Sequence, residues 1–107
     1  MTGKKIYLQP RGTLLQAICD MAELQNGKYT FSDSPNGIIH FLVRMYNSRW
    51  EFKFAVEDAG KNRSGVELEL AGRTKSTKSI INREFALLDS MLTIDAEIEL
   101  DGKESCG

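Results

Sequence analysis

The sequence predicts an α+β domain in which a twisted antiparallel sheet packs against a long C-terminal amphipathic helix, in the order strand, helix, four strands, helix. Three observations predict it. From Ile39 to Leu70 apolar residues recur at every second position, the pattern of half-buried antiparallel strands. Beyond Gly72 the apolar period changes to 3.6 and holds to Ile94. The 107 residues are one domain's worth of chain, and a 41% hydrophobic content suffices for a core without disulfide or metal staples. Residues 1–100 are read as that domain and 101–107 as a flexible tail.

Residues 4–9 alternate, with Ile6 and Leu8 on one side and Tyr7 on the other, until Pro10 and Gly12 break the strand. Thr13 and Gln16 have the spacing of a capping box, which places a helix over residues 14–25. Gln16, Asp20 and Glu23 make its one narrow polar stripe, so the helix is largely sunk into the protein or a partner. Asn26-Gly27 ends it with residues that tolerate left-handed angles. Tyr29 and Phe31 then mark a strand, and Ser34-Pro35-Asn36-Gly37 a reversal.

Ile39, Phe41, Val43 and Met45 followed by Trp50, Phe52, Phe54 and Val56 predict a hairpin around a two-residue loop at Asn47-Ser48. With Tyr46 opposite Arg49, Met45 faces Trp50, Val43 faces Phe52, Phe41 faces Phe54, and Arg44 pairs with Glu51 on the other side. A one-residue slip would expose all these apolar side chains, at roughly 1.5–3 kcal/mol each, so the choice of face is strongly specified. Residues 58–65 read as a loop or a ragged hairpin end. Val66, Leu68 and Leu70 then pair with Val56, Phe54 and Phe52, Glu69 with Lys53, and Gly72 leaves room for the Trp50 indole.

In the last helix Ile81, Phe85, Leu88 and Leu92 form one apolar row and Ile80, Leu87, Met91 and Ile94 the next. Thr74, Ser76 and Thr77 are its candidate N-caps. Residues 94–100 return to period 2, which leaves an edge strand, a continued helix and a partner-ordered segment open. Over residues 4–94 this element order, with the run from Gly72 to Leu92, resembles the helix-grip fold of START and polyketide-cyclase-like domains. It is also similar to one half of the TATA-box-binding protein. The helix-grip resemblance implies an apolar ligand held between sheet and long helix.

Function is written less plainly than fold. Fourteen Lys and Arg against fifteen Asp and Glu leave a net charge of -1, without the basic excess that nucleic acid or an anionic membrane surface demands. No apolar run approaches the roughly 18 residues of a membrane helix, and the N-terminus lacks a signal-peptide core. Cys19 and Cys106 have no partner at metal-ligand spacing, which fits a reduced cytoplasmic protein. His40 has no companion ligand and no nucleophile elbow, and Glu67/Glu69 and Glu97/Glu99 read as solubilising charges.

The expectation is therefore a non-catalytic binding or interaction domain without metal or cofactor. It is expected to self-associate as a homo-oligomer, the Lys4/Lys5 strand complementing an acidic Glu97/Glu99 strand. The semi-apolar outer sheet face, with His40, Leu42 and Tyr46, is expected to lie under helix 1 or another subunit. One alternative is a carrier whose apolar pocket is lined by Phe41, Trp50, Phe52, Phe54, Phe85 and Met91, beside Met45 and Leu88. Another is an anion site of Arg73, Lys75, Ser76 and Lys78 at the start of the long helix.

Overall fold

The computed structural model describes residues 2–70 and 77–106, with side chains as far as residue 93. Strands β1 (Thr2–Tyr7), β2 (Lys28–Asp33), β3 (Ile38–Met45), β4 (Ser48–Gly60) and β5 (Arg63–Leu70) form one antiparallel sheet in the order β1-β5-β4-β3-β2. Helices α1 (Arg11–Leu24) and α2 (Thr77–Cys106) pack on its inner face and on each other. The α+β class and element order are those the sequence predicts. Of the alternatives open for residues 94–100, the backbone takes the helix, so the acidic Glu97/Glu99 strand does not form.

The β3–β4 hairpin differs from expectation by two residues. Met45 pairs with Ser48, Arg44 with Arg49, Val43 with Trp50, Leu42 with Glu51 and Phe41 with Phe52. The turn is Tyr46-Asn47, with φ of 54° and 59° at its two central residues. Such a left-handed pair makes the tight turn whose twist matches the strands, and Asn-Ser at 47–48 would put a serine there instead. Because the displacement is two, every side chain keeps its face. What changes is the partner: Arg44 meets Arg49 in place of Glu51.

Between β4 and β5 the expected pairs form, Val56 with Val66, Phe54 with Leu68, Phe52 with Leu70 and Lys53 with Glu69. The proposed Gly72–Trp50 contact lies outside the described residues. Of the two readings of residues 58–65, the ragged hairpin end holds: both strands run through them, past an irregularity between Asp58 and Gly60, to a turn holding Asn62 at φ 54°. A second bulge at Thr30 splits β2: Tyr29 pairs with Phe41 on the inner face and Phe31 with His40 on the outer.

Helix α1 begins at Arg11, earlier than the capping-box reading, and its N-cap Pro10 makes no side-chain cap. Thr13 instead sits inside the first turn, where its N–H bonds Pro10 O at 3.1 Å. Leu14, Ala17, Ile18, Met21 and Ala22 are buried. The helix packs over β3, β4 and β5, whereas α2 packs along β5 and β1. The cover over Phe41 and Phe54 is thus α1, not the helix of the 80s, and α1 does not reach the outer sheet face. Gly27 permits this closeness: a Cβ there would lie 2.9 Å from Ala22 O and 3.0 Å from Phe41 Cδ2. Gly3 does the same for α2, since a Cβ would lie 2.6 Å from Ile81 Cγ2.

Candidate functional site

Along α2 the buried row Ile80, Glu84, Leu88 falls at i, i+4, i+8, so 3.6-residue geometry carries a carboxyl into an apolar seam. Glu84 is fully buried. Facing it is the C-terminal end of α1, where Gln25 is the C-cap. Gln25 Nε2 donates to Glu84 Oε2 at 2.9 Å and to Met21 O at 3.3 Å, while its Oε1 accepts from Arg83 Nη1 at 2.9 Å. Arg83 Nη1 also approaches Glu84 Oε1 to 3.5 Å, too loose for a hydrogen bond. Among the described residues Glu84 Oε1 is the buried side-chain oxygen left without a hydrogen-bond donor.

An unsatisfied buried oxygen costs about 1–3 kcal/mol, and a bare carboxylate more, so the group adapts by holding its proton. Burial pushes Glu84 up to about 7, against the smaller downward pull of the Gln25 hydrogen bond and the Arg83 charge. Near neutral pH the carboxyl exists in both forms, able to donate a proton or accept a hydrogen bond at Oε1.

A second polar group lies between β1 and α2. Asp89 accepts from Tyr7 Oη at 2.8 Å and from Lys5 Nζ at 2.7 Å, with Lys5 Nζ 5.1 Å from the centre of the Tyr7 ring. Burial first, and then the Asp89 hydrogen bond and charge, push the Tyr7 phenol well above its usual range. Beside it a groove of about 370 Å³ runs between Gly3, Lys5, Ile81, Asn82, Phe85 and Asp89. The Lys5–Asp89 pair is half-exposed, and such pairs stabilise little.

The residues named from sequence divide into three sets. Phe41, Phe52 and Phe54 are completely buried and interlock, Phe41 lying 5.5 Å from Phe52 and 5.8 Å from Phe54 between ring centres. Trp50, Phe85 and Met91 are half-buried at the margin of that core, with Trp50 Nε1 donating to Met45 O. Arg73, Lys75 and Ser76 lie outside the described residues, and Lys78 is exposed on the first turn of α2. His40 rests against Phe31 at 5.3 Å. Among the described residues no three His, Cys, Asp or Glu side chains gather as they would around a metal ion.

Sequence reasoning missed Glu84 and Gln25. Glu84 did leave a signal, being the charged residue within an otherwise apolar i, i+4, i+8 row. Gln25 left none, because only the packing of α1 on α2 brings it near.

No protein-family model matches the chain, and no curated protein matches it. Among solved structures it is similar to the di-domain ARO/CYC StfQ from the steffimycin biosynthetic pathway, with 9% identity and a TM-score of 0.52 over 94% of this chain. The chain spans about half of StfQ, 46% of its length. It is also similar to Ara h 8.0201, with 9% identity and a TM-score of 0.52 over 88% of this chain and 95% of that one. These likenesses support the helix-grip-like fold. They also correct the expectation of a non-catalytic chain: an ARO/CYC of a biosynthetic pathway is built on this fold, so lacking a catalytic motif does not place a chain of this fold outside the enzymes. No helix among the described residues is long and apolar enough to cross a membrane.

Proposed function

We propose that the chain binds a small amphipathic molecule between the inner sheet face and its helices, with Glu84 anchoring the molecule's polar end. The observation that carries this reading is Glu84 Oε1, fully buried and without a donor among the described residues. Trp50, Phe85 and Met91, half-buried at the margin of the core, supply apolar surface. The probe is 2-naphthol, an aromatic ring with one hydroxyl donor, followed by quenching of Trp50 fluorescence. Saturable binding is expected, and Glu84→Leu weakens it about tenfold while leaving naphthalene, which has no hydroxyl, unaffected. Absence of saturable uptake of either compound would refute the reading.

The value of about 7 at Glu84 favours a second reading of the same site, proton transfer to or from the bound molecule by a carboxyl poised between its two forms. Self-association is a separate proposal. It is supported by the two sheet edges, β1 and β2, each paired on one side only, and by the exposed Ile6, Leu8 and Phe31. Light scattering at rising concentration should show a dimer, and a monomer throughout overturns it. A reduced cytoplasmic setting belongs with these proposals, with Cys19 free of any disulfide.

A further inference from the structure

The Tyr46-Asn47 turn brings Arg44 directly opposite Arg49 on the outer sheet face. On the other side of β3 the ladder to β2 ends at Lys28, which pairs with Leu42 on that same face. The chain then leaves through Gly27 and the left-handed Asn26 (φ 56°) toward α1, so the end of β3 has no neighbouring strand there. A recess of about 320 Å³ results, lined by Asn26, Lys28, Leu42, Val43, Arg44 and Arg49. Met45 and Ser48 flank the two-residue turn as a hydrogen-bonded pair, so the Arg44–Arg49 pair is non-hydrogen-bonded, and the Arg44 N–H points away from β4 toward the recess.

Like charges directly opposite in a ladder destabilise it. Here nothing among the described residues relieves them. Glu51, diagonal to Arg44, accepts from Thr30 Oγ1 at 3.0 Å and lies 3.9 Å from Lys53 Nζ, and among the described residues neither arginine nor Lys28 has an ion-pair partner. The residues that carry two guanidinium forks, an ammonium and an amide thus line one recess with the apolar Leu42. Guanidinium matches the oxygens of phosphate bidentately, and a dianion cancels the repulsion that a chloride shell leaves in place. We infer that this recess binds the phosphate or diphosphate group of a small soluble molecule, whose organic part lies on Leu42.

Thermal unfolding tests this with pyrophosphate as the probe, against sodium chloride at equal ionic strength. The wild-type chain is expected to gain about 5 °C at saturating pyrophosphate over the chloride control. Arg49→Glu should lose that gain and yet melt higher in phosphate-free buffer, because attraction to Arg44 replaces repulsion. Arg44→Gln should lose the gain as well, and Lys78→Ala, which alters the start of α2 instead, should keep it. An equal rise with chloride, a gain retained in Arg49→Glu and Arg44→Gln, or a gain lost in Lys78→Ala overturns the assignment. A phosphate headgroup offers the same chemistry, so the chain is also sedimented with phosphatidylcholine vesicles containing phosphatidic acid. It is expected to stay in solution; pelleting without a pyrophosphate response overturns the soluble ligand.

Discussion

A carboxyl without a second hydrogen-bond donor in an apolar seam couples the protonation of Glu84 to folding in the pH range between 4.5 and about 7. Its proton is held up to about 7 in the folded chain and near the ordinary 4.5 when unfolded. Between those values the folded state binds more protons than the unfolded one, so stability falls as pH rises through the window and levels above it. The full span is on the order of 3 kcal/mol. Glu84→Gln, which keeps an amide in the same place, should flatten the difference in urea midpoint between pH 5 and pH 8 and stabilise the chain at pH 8. An unchanged pH dependence in the variant would remove Glu84 as its source. At this scale the sequence was partly legible. The interlocked phenylalanines follow from alternation alone and Glu84 stands out in its apolar row, whereas Gln25 was concealed because its place beside Glu84 depends on how α1 packs on α2.

Hairpin β3–β4 shows what decides a register once alternation has chosen the face. Two frames separated by two residues bury the same apolar side chains, and only the turn tells them apart. The sequence offers both Tyr46-Asn47 and Asn47-Ser48 to that turn, and Asn47 serves either. Composition favours the second, since tyrosine rarely adopts φ of +54°; the strands nonetheless close on the first. Tyr46 is 72% exposed, so its ring packs against little that would resist replacement. Tyr46→Asn combined with Asn47→Gly should therefore stabilise the domain by about 1 kcal/mol, or about 5 °C, as read by calorimetry. A loss of stability would mean that the tyrosine ring, not the backbone angle, holds the turn.

On the scale of the whole molecule, the class, the element order and the β4–β5 ladder could be read from the chain, because each follows from local periodicity. Where the helices settle could not. Periodicity tells which side of α1 is wet, but not that it lies over β3 and β4 and leaves α2 to β5 and β1. That division separates the apolar residues first grouped as one pocket: Phe41, Phe52 and Phe54 sit on the strands under α1, while Phe85 lies against Gly3 on β1.

The pairing of β1 with β5 joins Lys4 to Glu67. During translation at roughly 5–20 residues per second, β1 emerges roughly 3 to 13 seconds before β5, its partner in the sheet. Through that interval the edge that β5 covers is bare, and the groove that β1 forms with α2 does not yet exist. Substitutions in β1 should consequently disturb the last stage of maturation and the yield of chains that complete it, more than the early collapse of the hairpins.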